Sequence, residues 1–346
     1  MPNGVFNLHD YAKTFDPKGE LYAVARVLDQ TNPIVRDAIT IESNSDSGHE
    51  YAIQNGLPTV AWRRAYQGVK PSKGSKTVVK ETYGRMSAVA EVDVAIAEKG
   101  GKVSEVRAQV QRDQLEVMNQ EYAHKFFYGS AKDDEKAFIG FAARYGALSG
   151  AKSSRQVISN GGSTANKQSS IYLVGWGKGK IFTFFPKGTQ AGIKVYDYSK
   201  NGPIDLQDAN GGTYPGYKKQ MEWLVGLAVQ DWRYGARVCN IQTASITSKD
   251  AKVALYENFI KAVGRIQNPD VVKLVAYTSR EVRDLLRAGF LAAGGSSAPI
   301  VYQQNKLTTT GLPVYGYNDL VIDGIHIKAC DVLGFDEEGN GEAVVS

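Results

Sequence analysis

Hydrophobic and polar positions change their spacing along the chain, and these changes divide it into segments. Residues 1–58 mix short apolar groups with Asn, Asp, Ser and Gly, without a helix or strand period long enough to anchor a core. We interpret them as an extended arm. After Pro58, the residues Val60, Trp62 and Tyr66 alternate with polar partners, which is typical of a strand.

A long β-hairpin is predicted over residues 59–98. The turn-forming run GVKPSKGS follows the first strand, and the β-rich run TVVKETYGRMSAVAEVDV comes next. The tip at residues 71–74 is basic and almost free of apolar residues, whereas apolar residues alternate from Met86 onward as if one face were buried. We therefore expect the hairpin to project from the core at its base.

A long helix is predicted over Lys102 to Tyr128, because this run has good helix formers, no Pro and no Gly. Its 27 residues would span about 40 Å at about 1.5 Å per residue. The predicted apolar positions are Val103, Val106, Val110, Val117, Met118, Tyr122 and Phe126.

The second half of the chain predicts an α+β fold. A loop or linker is expected over residues 149–170, which are rich in Gly, Ser and Asn. The runs SIYLVGW, KIFTFF, IKVYDY and KQMEWLVGLAVQDWRYGARVCNI then predict an antiparallel sheet. In the final hundred residues, two amphipathic helices (SKDAKVALYENFIKAVGRI and SREVRDLLRAGFLA) alternate with the strands VKLVAY, LPVYGY and GIHIKACDVL.

Composition supports a globular protein of about two packed units, since the 346 residues are 42% hydrophobic and 22% charged. No apolar run approaches the roughly 18 residues that a membrane helix needs, so no membrane partner is expected. Two cysteines, Cys239 and Cys330, cannot form a disulfide framework and are expected to be small buried side chains. A reducing cytoplasm is the expected site of synthesis.

Charge is distributed unevenly. Residues 1–58 hold eight acidic and four basic side chains, residues 59–85 hold seven basic and one acidic, and the last sixteen hold five acidic and none basic. Such segregation suits binding to nucleic acid or to other copies of the same chain.

Searches for catalytic motifs predict no active site. His49 and Glu50 lack the second histidine of HExxH, and neither GGSTA nor GGSSA completes a nucleophile elbow. The run Gly175–Lys180 lacks the spacing and hydroxyl of a phosphate-binding loop, and we interpret it as a β-turn. No enzymatic activity, metal or cofactor is predicted.

The basic hairpin has three possible roles. It is a solvated surface, a binding surface for single-stranded nucleic acid, or a contact with a neighbouring copy. The lysine-rich tip lacks the interleaved aromatic residues of a nucleic-acid platform, so we favour the third. The candidate contact residues in the hairpin are Arg63, Arg64, Lys70, Lys73, Lys76 and Lys80. The candidate acceptors on the long helix are Asp113, Glu116 and Glu121, although these carboxylates could equally serve only solubility.

The order of segments resembles the major capsid protein of tailed double-stranded DNA bacteriophages, the Hong Kong 97-like fold. The run LDQTNPIVRDAITIESNSDSGHEYAIQNGLPTVAWRRAYQGVKPSKGSKTVVKETYGRMSAVAEVD is similar to the arm and extended loop of short-tailed phages of the epsilon-fifteen kind. The runs VMNQEYAHKFFYG, IFTFFPKGTQAGI and DWRYGARVCNI resemble the end of the spine helix and the sheet.

The resemblance implies a structural protein of the virion that self-assembles into hexamers and pentamers of an icosahedral head. It implies an arm over 1–58, an extended loop over 59–98, a peripheral domain with the spine helix over 99–242 and an axial domain over 243–346. It further implies a separate scaffolding protein, a portal, a decoration protein in some relatives, packaged double-stranded DNA and assembly in the host cytoplasm. The alternatives are an encapsulin-like nanocompartment shell and, from another class, a nucleotide-dependent enzyme using the turn at Gly175–Lys180.

Overall fold

A computed structural model describes residues 32–98, 102–130, 136–164, 167–208, 210–293 and 320–334. The first 31 residues of the predicted arm, the run LPVYGY and most of the acidic C-terminal run lie outside the described residues.

The described residues form several helices, one large sheet and a separate two-stranded hairpin. The helices are α1 (Ile34–Asp37), α2 (Val94–Ala97), α3 (Val103–Tyr128), α4 (Phe141–Arg144), α5 (Lys249–Gly264) and α6 (Arg280–Ala292). Short 3₁₀ helices occur at Lys152–Gln156, Trp232–Tyr234, Thr243–Ser245 and Pro269–Val271. The strands are β1 (Thr40–Glu42), β2 (His49–Gly56), β3 (Ser75–Glu81), β4 (Gly84–Asp93), β5 (Val157–Ser159), β6 (Ser169–Trp176), β7 (Ile181–Phe185), β8 (Ile193–Asp197), β9 (Ile204–Gln207), β10 (Thr213–Val229), β11 (Gly235–Ile241), β12 (Lys273–Thr278), β13 (Leu320–Ile322) and β14 (Ile325–Ala329).

The long helix is confirmed as α3, which has 26 residues. Its C-terminal part is rich in buried aromatic residues: the Tyr122 ring lies 4.5 Å from the Trp223 ring, and Phe127 lies 5.0 Å from Tyr172. These contacts dock the helix onto the sheet and bury large apolar area.

Val117, one of the apolar residues of the predicted helix, does not face the core, because its side chain is 60% exposed. Consecutive helix residues point about 100° apart. Met118 takes the buried position against Ala90 and Met221, so Val117 is turned toward solvent.

The helix ends at Gly129, where the chain passes close to its own backbone. A Cβ on Gly129 would lie 2.5 Å from the carbonyl oxygens of Lys125 and Phe138. The backbone N–H of Gly140 donates to the Gly129 carbonyl oxygen at 2.8 Å. Only glycine fits this close approach, which returns the chain beneath the helix.

Strand β10 is the axis of the large sheet. Its residues Gly216–Val225 pair antiparallel with β4, and its last four residues, Gly226–Val229, pair with β7. On its other edge it pairs with β8 and β9. The strand therefore joins the region beneath α3 to the region that continues through β7, β6, β12, β14 and β13.

The sheet as a whole is mixed, although the strands of the four predicted runs pair antiparallel apart from one parallel bridge between Trp176 and Ile181. β1 is parallel to β7, β5 is parallel to β11, and β12 is parallel to β14. Hydrophobic alternation reports which residues face a core, but it does not report the direction of the neighbouring strand.

Strand pairing crosses the predicted boundary between residues 242 and 243. β12 pairs antiparallel with β6, which lies in the predicted peripheral segment. The strands of the predicted axial segment thus continue the same sheet, because hydrogen bonding joins strands that are about a hundred residues apart in the chain.

Within the predicted extended arm, residues 32–56 contain the short elements α1, β1 and β2. Ile34 is fully buried in the main core, and β1 adds to the edge of the sheet beside β7. Elements of three to eight residues are too short to show a period in the sequence. The segment predicted as a linker, 149–170, likewise contains β5.

The hairpin is present, but its strands differ from the prediction. β3 pairs with β2, from Glu81↔His49 to Ser75↔Gly56, whereas β4 belongs to the body of the protein. Residues 57–74 form no strand. Val60 and Trp62 alternate with polar residues in the sequence, but they have no facing strand.

Replacing Phe126 with alanine should lower the free energy of unfolding of the unassembled subunit by about 3–5 kcal/mol, because its fully buried ring fills the core. The matched control on the same helix is Val117→Ala, which should change stability by less than about 0.5 kcal/mol. Chemical denaturation followed by circular dichroism measures both. Equal effects at the two positions would contradict this packing.

Candidate assembly surface

The loop between β2 and β3, residues 57–74, is exposed at every position. Its eighteen residues contain four cationic side chains and no carboxylate. A segment of this kind contributes little to its own core, so its side chains are free to contact another molecule.

Local hydrogen bonds organise the loop. The Thr59 N–H donates to Ser72 Oγ at 2.9 Å, and Ser72 Oγ–H donates to the Thr59 carbonyl oxygen at 3.0 Å. Farther out, the Arg64 N–H donates to Gln67 Oε1 at 3.2 Å and the Gln67 N–H donates back to the Arg64 carbonyl oxygen at 3.2 Å. The loop thus has a defined shape before it meets a partner.

The predicted contact cations occupy two regions. Arg63, Arg64, Lys70 and Lys73 lie in the loop, and Lys76 lies exposed on β3. Within the part of the chain that the structure describes, the three lysines among these five residues make no ion pair. They therefore present charge toward solvent.

Lys80 is the exception among the predicted cations. Its ammonium group lies 3.4 Å from the Glu50 carboxylate and donates to Ser47 Oγ at 2.6 Å. Glu50 lies directly opposite Lys80 in the β2–β3 register, so the sequence could not reveal this pairing before the strands were placed. The geometry assigns Lys80 to the hairpin itself.

Sequence reasoning missed the apolar side chains of the loop, which it placed in a strand. Val60 is 99% exposed, Leu57 is 80% exposed, and both Trp62 and Tyr66 are fully exposed. Aromatic residues flanked by arginines and fully open to water are typical of the energetic centres of protein interfaces. The signal in the sequence was Trp62 beside Arg63 and Arg64 in a segment without acidic residues.

A buried ion pair anchors the base of the hairpin. Arg144, at the end of α4, donates from Nη1 and Nη2 to the two carboxylate oxygens of Glu81, both at 2.7 Å. The Tyr51 hydroxyl donates to Glu81 Oε1 at 2.8 Å and lies 3.0 Å from the carbonyl oxygen of Val229. One carboxylate therefore connects both hairpin strands to the body of the protein.

The surroundings keep these groups in their ordinary charge states. Burial opposes the charge of Arg144, but hydrogen bonds and the charge of Glu81 outweigh it, so the pKa of Arg144 is raised. Burial, followed by the negative charge of Glu81, raises the pKa of Tyr51. Tyr51 thus stays a neutral donor and Arg144 stays a cation at physiological pH.

The predicted acceptors on α3 do not form one cluster. Asp113 and Glu121 are exposed, and Glu116 is half-buried. Glu116 Oε1 accepts from Gln120 at 2.9 Å, while Glu121 lies 3.8 Å from Lys125. Glu116 lines a groove with Trp223, whereas Glu121 lines a separate depression.

A second buried carboxylate fixes the start of the described chain. Asp37, at the end of α1, lies 2.8 Å from Lys273 Nζ and 2.7 Å from Lys328 Nζ, and it accepts from the Tyr277 hydroxyl at 3.0 Å. Burial opposes its ionisation, but the two lysines outweigh that effect and hold the pKa of Asp37 below its ordinary value.

No catalytic or cofactor site is evident in the described chain. Its His, Cys, Asp and Glu residues form no group of three that could hold a metal. The run at Gly175–Lys180 is a turn between β6 and β7, as predicted, in which the Lys180 N–H donates to the Gly177 carbonyl oxygen at 3.0 Å. No helix follows it, so the fold builds no phosphate-binding loop there.

Among the described helices, none has the length and apolar character needed to cross a membrane.

The architecture is shared with bacteriophage capsids. The capsid structure of bacteriophage Epsilon15 matches with a TM-score of 0.72 and 23% identity, covering 100% of this chain and 99% of that chain. The bacteriophage JBD30 capsid matches with a TM-score of 0.51 and 8% identity, covering 90% and 94%. No curated protein sequence matches the chain significantly. The fold is that of the Hong Kong 97-like phage capsid proteins.

A family model described as "Major capsid protein GP7" matches residues 16–340. The chain therefore belongs to the GP7 family of major capsid proteins. It is a structural protein of a phage capsid, and the capsid shell is built from many copies of it.

Replacing Glu81 with glutamine should lower the free energy of unfolding by about 3 kcal/mol, because the change leaves the enclosed Arg144 cation without its counter-charge. The matched control is Glu50→Gln on the facing strand, where the side chain is 43% exposed and the loss should be below about 1 kcal/mol. Urea denaturation of the unassembled subunit gives both values. Similar losses would show that Glu81 does not anchor the hairpin.

The ion pairs of Asp37 should make stability depend on pH in acid. Because its pKa is lowered in the folded state, its contribution is present above the ordinary value of 3.8 and is lost as pH falls through the folded value. The stability difference between the parent and Asp37→Asn should be constant above about pH 5 and shrink below about pH 4. Urea denaturation at several pH values measures it, and a difference that does not change with pH would contradict the assignment.

Proposed function

We propose that the loop at residues 57–74 lies on an adjacent subunit and links the subunits of an icosahedral shell of hexamers and pentamers. The observation that carries the proposal is the combination of a rigid attachment and an exposed end. The base is held by the Glu81–Arg144 pair, while the loop presents cations and apolar side chains that lie exposed on the described part of the chain. Such a surface favours contact with another copy, which is also present at high local concentration in a shell.

Charge supports this reading. The loop carries the cations Arg63, Arg64, Lys70 and Lys73 and no carboxylate, and Lys76 is exposed beside it on β3. Helix α3 exposes Asp113 and Glu121 and half-buries Glu116. Attraction between these surfaces guides subunits into register, and the apolar residues then supply contact area. Lys80 also pairs with Glu50 in its own hairpin, so we expect it to contribute less to this contact than the unpaired lysines.

The chain supports an assignment of segments in the assembled shell. We assign the sheet around β4, β8, β9 and β10, together with α3, to the peripheral part. We assign α5, α6, β12, β13 and β14 to the axial part near the capsomer centre. Because β6 and β7 connect β12 to β10 within one sheet, the two parts move as a unit unless this pairing breaks.

The remaining partners follow from the task of a phage shell. The shell encloses double-stranded DNA through sequence-independent contacts, is assembled in the host cytoplasm with a separate scaffolding protein, and meets a portal at one vertex. A decoration protein is a further partner on the outer surface. The role is structural and requires no catalysis.

Replacing Lys70, Lys73 and Lys76 together with glutamate should abolish most particle formation at low salt, because attraction becomes repulsion at every repeated contact. The thermal stability of the unassembled subunit should change by only a few tenths of a kcal/mol, since all three side chains are exposed. Sedimentation and electron microscopy measure particle yield, and calorimetry measures subunit stability.

The matched control reverses three exposed lysines elsewhere, Lys178, Lys187 and Lys200, and so changes net charge equally. This control should retain most of the particle yield. If the loop variant assembles as well as the parent, the lysines do not take part in the contact.

A second measurement separates a genome-containing head from a nanocompartment. Mature particles of a phage head contain nucleic acid, whereas a nanocompartment would enclose protein cargo instead.

A further inference from the structure

The loop exposes an aromatic side chain that the described part of its own chain does not cover. Trp62 is fully exposed, and Val60 and Tyr66 on either side of it are exposed as well. An indole left in water at the end of an ordered loop marks a contact site, because its burial supplies more apolar area than any other side chain.

A groove on the body of the protein has matching chemistry. Its volume is about 470 Å³, and its apolar walls come from α1, α3, β8 and β10. These apolar walls are Val35, Leu115, Ile193 and Trp223. Val35 is 48% exposed and Ile193 is 36% exposed, so the groove leaves apolar surface uncovered.

The groove is preformed. The Trp223 ring is fixed by the buried Tyr122 ring, whose centroid lies 4.5 Å away. Leu115 projects from the long helix α3, and Ile193 pairs with Trp223 across β8 and β10. Rigid walls lower the entropic cost of receiving a side chain.

The polar residues of the groove complement the neighbours of Trp62. Glu116 and Asn119 lie in the groove and offer oxygen acceptors for an indole N–H or for the guanidinium groups of Arg63 and Arg64. Arg36 is exposed at the same rim, where a guanidinium can stack on an indole face.

Other depressions on the surface fit less well. The groove beneath β2 has two cations, Lys152 and Arg233, and one carboxylate, Asp231, which Arg233 already binds at 2.7 Å. Its excess cation would face the loop arginines with like charge. The depression beside Glu121 has acidic residues, but its apolar lining is limited to Val117 and Val332. The first groove combines several apolar walls with as many carboxylates as cations, namely Glu116 and Arg36.

We propose that the groove formed by Val35, Leu115, Ile193 and Trp223 on one copy receives Trp62 from the loop of a neighbouring copy. The inference rests on the proposed role of the loop in linking subunits and names the surface that accepts it. The competing occupant is another segment of the same chain, which would already cover Ile193 in the unassembled subunit.

Cysteine cross-linking tests the contact without removing Trp62. The native Cys239 and Cys330 are buried, so introduced cysteines are the reactive ones. One chain carries Ala61→Cys, next to Trp62, and a second chain carries Ile193→Cys. Particles from the co-expressed chains are treated with a short bismaleimide, so that a cross-linked dimer reports contact between two different chains.

The control replaces Ile193→Cys with Tyr196→Cys, which is exposed on the opposite face of β8. We expect the Ala61–Ile193 dimer to exceed the Ala61–Tyr196 dimer at least tenfold. Maleimide should also label Ile193→Cys readily in unassembled subunits and at least tenfold more slowly in particles.

Particles without the Ala61–Ile193 dimer, or with equal dimer at both positions, would overturn the assignment of the groove while leaving the linking role of the loop in place. Protection of Ile193→Cys in unassembled subunits would overturn it too, since the chain would then cover its own groove. Failure of the parent chain to form particles would instead refute the proposed function.

Discussion

The buried pair of Glu81 and Arg144 is the interaction on which the use of the hairpin depends. A bidentate guanidinium–carboxylate contact fixes direction as well as distance, because both donors must align with both oxygens. Tyr51 extends the contact to the second hairpin strand and to the carbonyl oxygen of Val229 in β10. The hairpin is thereby tied to the axis of the large sheet, and its loop can act as a directed arm.

Strand β10 links the anchored hairpin to the rest of the subunit through its pairing with other strands of the sheet. β10 holds β4 on one edge and β8 and β9 on the other, and its last residues pass into the region of β7. The aromatic end of α3 packs on the same strand through Tyr122 and Trp223. Asp37 joins α1 to β12 and β14 through two lysines. Stability is therefore concentrated in the body, and the loop is left available for assembly.

Long helices and strands were predictable from the sequence, whereas contacts between residues far apart in the chain were not. The helix Val103–Tyr128 lies where its composition predicted it, and Ser279 caps α6 by accepting from the Val282 N–H at 3.3 Å. The hairpin register was misplaced because eight-residue β2 reads as a polar arm until β3 pairs with it. The cations of the loop were found from charge alone, but the exposure of Trp62 and the pairing of Lys80 depend on tertiary structure.

Hydrogen–deuterium exchange of the unassembled subunit and of the assembled particle tests the central claim, that a loop on a fixed base is buried by a neighbour. Peptides covering residues 57–74 should exchange rapidly in the subunit and become strongly protected in the particle. Peptides covering β2 and β3 should be protected in both states, because the Glu81 anchor is already formed. Equal exchange of the loop in the two states, or unprotected β2 and β3 in the subunit, would contradict the account.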